Sequence, residues 1–233
     1  MIHVCSLSRL YATVDETKAR HIVTLLRLVE RVQRPSHIAP ENHLVLPIDD
    51  ITTPTEGYTA PGEEHVTRLI DFVGKWDRAA PMVVHCFAGI SRSSAAAFVA
   101  ACTLNPNRDE MKIAQAIRSA SRTAQPNARI VTIADRLLKR DGRMVRAVEQ
   151  IGPGDMAMEG HPFRLDLELE LQLAPVCRTR CVRSAGRHID VHCFAIPIAT
   201  SKEVPEHLTQ PEPGRPPPGD VSLEVSAVRE KPR

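Results

Sequence analysis

The chain has 233 residues, carries a formal net charge of +2 and contains only 3% aromatic residues. This length suits one full hydrophobic core, or one domain and a tail, and the core must consist mainly of aliphatic side chains. The balanced charge gives no reason to expect a nucleic-acid or membrane partner, and no apolar run reaches the roughly 18 residues that suggest a membrane-spanning helix.

The N-terminal segment MIHVCSLSRL lacks the basic region and the long apolar region of a signal peptide. Without an export signal, we expect the six cysteines to be reduced thiols and the protein to be cytoplasmic. The sequence makes no prediction of oligomeric state.

Short apolar segments alternate with helical patterns over the first 140 residues. Strands are predicted over residues 2–7, 21–26, 43–48 and 81–86. Helices are predicted over residues 14–21, 63–76, 93–104, 109–121 and 127–140, and residues 51–62 are predicted to form a loop. This alternation favours an α/β fold with a central, mostly parallel sheet of four to five strands flanked by helices.

The character of the chain changes after about residue 160. Leucine occupies every second position in LDLELELQL, residues 165–173, which is the period of a strand with one buried face. HIDVHCFAIPI, residues 188–198, could pair with it as a hairpin, and the six prolines of residues 205–218 indicate a disordered or extended segment. We therefore predict a domain over residues 1–160 and a divergent C-terminal extension over residues 161–233.

The extension also contains cysteines and histidines whose spacings can suit zinc, at Cys177, Cys181, His188 and His192. Several arginines between them would repel a cation, so a solvated segment is the favoured interpretation. No metal and no other cofactor is expected in this protein.

The segment VVHCFAGISRSS, residues 83–94, places a thiol and a guanidinium six positions apart, between a predicted strand and a predicted helix. The amides of residues 87–92 can turn inward as an anion-binding nest, and the helix directs its positive end at the same point. Arg92 adds a planar fork that fits two phosphate oxygens. Such a field attracts a phosphate dianion and favours the thiolate of Cys86 as a nucleophile.

Two neighbouring residues suit the same chemistry. Gly89 allows the backbone to approach a ligand closely, and the hydroxyl of Ser93 could hydrogen-bond the sulfur as a leaving group. The plainer alternative is a buried cysteine followed by a helix with an exposed arginine. VHCFA recurs at residues 191–195, but no arginine follows Cys193 at the sixth position, so we interpret Cys193 as a strand residue.

The residues from His85 to Ser93 resemble the H-C-x5-R-[S/T] signature of cysteine-dependent protein tyrosine and dual-specificity phosphatases, bacterial tyrosine phosphatases among them. The resemblance covers roughly residues 1–150 and implies the phosphatase fold. It implies that Cys86 attacks phosphorus and that His85 steers the loop through hydrogen bonds. It also implies that phosphate is bound by Arg92 and by the loop residues Phe87, Ala88, Gly89, Ile90 and Ser91.

The family supplies its proton donor from a loop upstream of the cysteine. Here Pro-Ile-Asp-Asp, residues 47–50, ends a predicted strand and resembles the P-x-D-D loop of small dual-specificity members, without the tryptophan of the W-P-x-D pattern. We favour Asp50 as the donor, with Asp49 as the alternative and a capping or solvated role for both left open. Asn127 resembles a pocket residue of the family, and it could instead cap the following helix.

The resemblance implies a dual-specificity-like protein tyrosine phosphatase that hydrolyses phosphate monoesters of a phosphoprotein or an aryl phosphate through a phosphocysteine intermediate. The loop residues between Cys86 and Arg92 are not basic, which favours an aryl phosphate over a phosphoinositide. Two alternatives stay open: a rhodanese-like sulfurtransferase, which also places a cysteine on an anion loop, and a phosphate-binding module without turnover.

Overall fold

The computed structural model describes residues 1–28, 30 and 32–167. Its strands are β1 (Ile2–Ser6), β2 (His21–Leu25), β3 (His43–Leu46), β4 (Met82–Cys86) and β5 (Phe163–Leu165). Its α-helices are α1 (Leu10–Thr17), α2 (Glu63–Lys75), α3 (Arg92–Leu104), α4 (Glu110–Ala120), α5 (Ala128–Leu137) and α6 (Arg143–Ile151).

The five strands form one sheet in the order β3-β2-β4-β1-β5. The first four strands are mutually parallel, and β5 pairs antiparallel with β1 at the edge. The predicted α/β fold with a mostly parallel sheet of four to five strands is therefore confirmed, and the sheet has five. β4 is the central strand, so Cys86 at its carboxyl end lies at the edge where parallel sheets commonly carry their ligand sites.

Helices cover both faces of the sheet because the parallel strands are apolar on both sides. Val4 and Val84 face the larger core, which they share with the apolar faces of α2 to α6. Cys5 and Val83 point to the other face and pack with Leu10 of α1. Successive residues of β1 and β4 thus serve opposite layers, as the two-residue period of a strand requires.

Helix α3 is buried along most of its length. Its residues from Arg92 to Cys102 are all buried, and five of them are alanine. These small side chains let the helix lie against the sheet and three other helices, α2, α4 and α5. Because α3 begins directly after the loop that follows β4, this burial fixes the position of that loop.

One helix was not predicted, and one strand overlaps the predicted alternation of residues 165–173 only at Leu165. Helix α6 begins after Gly142, whose φ of +78° is in the left-handed region, and it buries Met144 and Ala147. Strand β5 begins just beyond residue 160, the predicted end of the domain, and aligns Phe163 with Val4 of β1.

The boundary at residue 160 stays a prediction. The leucine alternation is described only as far as Leu167, and the predicted hairpin partner, the proline-rich segment, the cysteine–histidine set and Cys193 lie outside the described residues. Over the described ranges, no helix is long and apolar enough to cross a membrane.

Candidate active site

The loop between β4 and α3 wraps around the sulfur of Cys86. Cys86 is only 1% exposed. The amide of Gly89 donates to its Sγ over 3.3 Å, and Oγ of Ser93 lies 3.1 Å from the same atom. The sulfur therefore has two polar neighbours, one from the loop and one from the first turn of α3.

The carbonyl groups of the loop are bound by the surrounding scaffold. Phe87 and Ala88 accept hydrogen bonds from the amides of Leu7 and Gly160, over 3.1 and 2.9 Å. The carbonyls of the two residues before Arg92 accept from the amides of Gln125 and Asn127, over 3.0 and 3.3 Å. The carbonyl and the following amide of one trans peptide point in opposite directions. The amides of residues 88, 89, 91 and 92 are thereby directed to the inside of the loop.

Gly89 is the residue that allows this path. Its φ is +73°, and a Cβ atom there would lie 2.7 Å from the amide nitrogen of Ser6 and 2.8 Å from the carbonyl carbon of Cys5. The loop thus packs against the end of β1 more closely than any side chain permits.

The guanidinium of Arg92 is buried and bound to the segment that follows β3. Arg92 is 8% exposed, and its Nη1 donates to the carbonyl of Ile48 over 2.9 Å. Its Nε lies 3.5 Å from Oδ2 of Asp50 and makes no hydrogen bond within the described residues. The guanidinium therefore keeps an unsatisfied buried donor near the carboxylate of Asp50.

Asp50 lies between the loop and α5, and its side chain is 36% exposed. Its Oδ1 accepts hydrogen bonds from Oγ of Ser91 over 2.7 Å and from Nδ2 of Asn127 over 2.9 Å. With Arg92 on its other oxygen, three side chains fix the orientation of this carboxylate.

Asp49 serves a different part of the structure. Its amide donates to the carbonyl of Thr59 over 2.8 Å, and its Oδ2 accepts from the amide of Thr59 over 2.7 Å. Arg27 lies 3.9 Å from the same oxygen. The two adjacent acids thus diverge: Asp49 closes its own loop, and Asp50 faces the cysteine loop.

Asn127 combines the two roles considered from the sequence. Its Oδ1 accepts from the amides of Arg129 and Ile130 over 3.1 and 3.2 Å, which caps α5. Its Nδ2 is thereby turned toward Asp50. The cap of a helix and the position of a site carboxylate depend on one side chain.

His85 is fully buried one residue before the cysteine. Its Nε2 lies 2.8 Å from Oγ1 of Thr24, which lies 2.8 Å from Nε2 of His43. Burial lowers the pKa of His85 to about 4, opposed in part by a backbone hydrogen bond at Cys86. At neutral pH this side chain is an uncharged link between β2 and β4.

The other described cysteines are unsuited to nucleophilic chemistry. Cys5 and Cys102 are buried free thiols, and burial raises the pKa of both to about 12. Among the described residues, no group of three or more His, Cys, Asp or Glu side chains is arranged to hold a metal ion.

A surface cavity of about 540 Å³ opens beside Asp50. It lies between the segment from Asp50 to Thr55 and residues 125–128, and Ser91 contributes to its wall. Hydroxyl, amide and apolar groups line it, with Asp50 the one charged residue among its described lining residues. Ser91 is the residue of the cysteine loop among the described residues that line this cavity.

Three residues that support the site, Thr24, Gly160 and Arg129, were not predicted from the sequence. Thr24 lies inside a predicted strand, and Gly160 supports the loop through its amide. Arg129 binds the carbonyls of Thr52 and Pro61. Backbone groups occur at every position, so contacts that use them over more than 60 residues of chain leave no motif.

A thiol held by inward-facing loop amides, with a buried guanidinium and a carboxylate that contacts the same loop, is an arrangement for attack on a phosphate ester. Fold and site thus define a cysteine-dependent phosphatase. The family comparison agrees, because residues 50–128 match the model described as protein-tyrosine phosphatase. This part of the chain is therefore similar to that family.

Several solved phosphatase structures are similar to the chain. DUSP15 shares 18% identity, with a TM-score of 0.43 and coverage of 64% of this chain and 90% of that one. Human DUSP28 shares 19% identity, with a TM-score of 0.44 and coverage of 60% and 92%. PTP-2 phosphatase of Cydia pomonella shares 17% identity, with a TM-score of 0.46 and coverage of 57% and 83%. The comparison with curated proteins gave no significant match.

Proposed function

We propose that this phosphatase acts in the manner of dual-specificity enzymes and hydrolyses aryl phosphate monoesters, with phosphotyrosine in a protein as the substrate class. The observation that carries this proposal is the pair of contacts at Cys86 Sγ, to the amide of Gly89 and the hydroxyl of Ser93. These contacts hold the sulfur of the nucleophile beside loop amides that can bind an oxyanion.

The first step transfers the phosphoryl group to the enzyme. The thiolate of Cys86 attacks phosphorus, the sulfur–phosphorus bond forms and the bond to the leaving oxygen breaks. Arg92 and the inward-facing amides of the loop hold the three non-bridging oxygens. Asp50, as the carboxylic acid, gives its proton to the leaving oxygen.

The second step releases inorganic phosphate. The carboxylate of Asp50 takes a proton from water, the water oxygen bonds to phosphorus, and the sulfur–phosphorus bond breaks. The hydroxyl of Ser93, 3.1 Å from the sulfur, stabilises the thiolate that leaves. Asp50 is preferred over Asp49 because Asp49 is engaged by both backbone groups of Thr59.

The lining of the cavity supports the substrate class. Its hydroxyl and apolar groups suit an aromatic ring and a peptide backbone, and its described residues include no lysine or arginine that would pair with additional phosphates. A phosphoinositide with several phosphates is therefore the less favoured substrate.

Two further proposals concern the whole chain. The buried free thiols of Cys5, Cys86 and Cys102 support a reducing compartment, for which we propose the cytoplasm. We also propose that the phosphatase domain ends shortly after residue 160, where β5 completes the sheet, and that the remainder is an extension.

The direct test is hydrolysis of para-nitrophenyl phosphate by the full chain and by Cys86→Ser. We expect turnover by the native chain, inhibition by vanadate and a loss of at least about a thousand-fold in kcat for the variant. Undiminished turnover by Cys86→Ser would exclude the mechanism. Sulfur transfer from thiosulfate to cyanide, in place of phosphate release, would support a sulfurtransferase.

A further inference from the structure

The segment that carries Asp50 is long and irregular, yet it is held on several sides. Residues 47–62 connect β3 to α2 without a helix or strand of their own. A segment of this kind would be free to move unless other elements bind it. The proposed chemistry needs the carboxyl group of Asp50 in one place, so the contacts that hold the segment bear on catalysis.

Arg129 makes the broadest of these contacts. From the first turn of α5, its Nε donates to the carbonyl of Pro61 over 2.6 Å, and its Nη1 donates to the carbonyl of Thr52 over 3.4 Å. These two carbonyls belong to opposite arms of the segment, on either side of its tip. One planar guanidinium thus ties both arms to α5.

We propose that Arg129 is a positioning residue for the general acid, which clamps the segment 47–62 so that Asp50 is held against the cysteine loop before substrate binds. This inference rests on the function proposed above. Arg129 does not line the cavity beside Asp50, but a neighbouring one of about 650 Å³ that also contains Glu63 and Arg136. It therefore acts through the segment and not on the substrate.

Other contacts show where the clamp matters. Asn127, two residues before Arg129, binds the Asp50 carboxylate itself, so the start of α5 meets the segment at three points. On another side, Nη1 of Arg27 donates to the carbonyl of Gly57 over 2.9 Å. Loss of Arg129 leaves Asn127 and Arg27 in place, but frees the carbonyl of Thr52, two residues after Asp50.

The consequence is specific to proton donation. A displacement of about 1 Å in a catalytic group can cost about a hundred-fold in rate. Leaving phenols of low pKa depart without a proton, whereas phenols of high pKa require one. A misplaced Asp50 should therefore slow the hydrolysis of esters whose leaving phenol has a high pKa. It should have little effect on esters whose leaving phenol has a low pKa.

The experiment compares Arg129→Met with the native full chain over a series of aryl phosphates whose leaving phenols differ in pKa. We expect kcat/KM for phenyl phosphate to fall about ten- to a hundred-fold, and kcat/KM for the most acidic phenol to change less than about three-fold. Arg129→Lys, which can still donate to one carbonyl, should recover part of the loss.

Arg136→Met is the matched control, because Arg136 lies on the same helix and forms an exposed ion pair with Glu63. It should leave the whole series unchanged, and thermal unfolding of each variant reports its folding. The inference would be overturned if Arg129→Met lowered kcat/KM equally for every leaving group. It would also be overturned if the kcat/KM values of Arg129→Met and Arg129→Lys matched those of the native chain. Absence of turnover by the native chain would instead overturn the proposed function.

Discussion

At the scale of single residues, the site depends on residues that each have two structural roles. Asn127 caps α5 and orients Asp50, and Gly89 turns the loop while it packs against β1. Asp49 and Asp50 are neighbours in sequence but face different partners. Single substitutions at these positions can therefore distinguish the role of one residue from that of its neighbour in sequence.

The two aspartates form a natural pair of variants. Asp50→Asn should lower kcat/KM for phenyl phosphate about 10²- to 10⁴-fold, because the amide cannot give a proton to the leaving oxygen. The loss should shrink as the leaving phenol becomes more acidic. Asp49→Asn removes one acceptor for the Thr59 amide and should show no such dependence on the leaving group. The reverse assignment would be required if Asp49→Asn gave the steep dependence and Asp50→Asn did not.

Gly89→Ala tests the packing of the loop. The new methyl group would meet backbone atoms of β1 at less than 3 Å in a left-handed conformation, so we expect vanadate binding to weaken at least ten-fold, by about 1.4 kcal/mol or more. Gly57→Ala is the control, since Gly57 also has a positive φ of +80° but no atom within 4 Å of the added Cβ. Equal vanadate affinity of the two variants, measured by titration, would contradict this account.

At the scale of elements, the strands carry a buried polar chain that links three of them. His43 of β3, Thr24 of β2 and His85 of β4 are joined by two contacts of 2.8 Å. This chain reaches the residue next to the nucleophile, and burial keeps the imidazole of His85 neutral. The cost of protonating that imidazole makes the domain sensitive to acid.

The sign of this effect follows from the direction of the pKa shift. The pKa of His85 is near 4 in the folded protein and 6.5 as the ordinary value, so between these values the unfolded chain binds the extra proton. The free energy of unfolding is therefore unaffected by protonation of His85 above pH 6.5. It declines as pH falls toward 4, by about 3 kcal/mol at most. Urea unfolding at several pH values should show this decline, and His85→Gln should reduce it. If the free energy of unfolding of His85→Gln fell with pH as steeply as that of the native chain, the effect could not be assigned to His85.

Local patterns explain why some elements were predictable and others were not. The strand before Cys86, the glycine loop and the helix after Arg92 are encoded within about twenty adjacent positions, and all three are present. Helix α6 follows a left-handed Gly142 without a conventional N-cap side chain, although Met144, Ala147 and Ile151 lie at helical spacing. β5 has only three residues, which are too few to show a period. The contacts of Arg129 run to backbone carbonyls that any residue would supply.

At the scale of the whole molecule, the described domain extends as far as its edge strand. Phe163, Leu165 and Leu167 are buried, and β5 pairs with residues 2–4 of β1. Gly160, just before β5, donates to the carbonyl of Ala88. The end of the domain therefore supports the site as well as the sheet.

Truncation tests this role and the predicted boundary together. A chain that ends at residue 167 should unfold in one transition, whereas a chain that ends at residue 160 loses three buried apolar side chains worth about 1.5–3 kcal/mol each. We expect a clearly lower Tm by calorimetry for the shorter chain. Equal Tm values would show that β5 adds nothing to stability.

The central claim is that Cys86 becomes phosphorylated during turnover, and rapid acid quench followed by mass spectrometry of the peptide containing Cys86 tests it most directly. We predict one phosphoryl group on that cysteine, with a larger amount in Ser93→Ala, because the sulfur then lacks the hydroxyl that stabilises it as a leaving group. The account would be contradicted if phosphate were released while the phosphoryl group was found on a different residue, or while neither protein carried a covalent phosphoryl group.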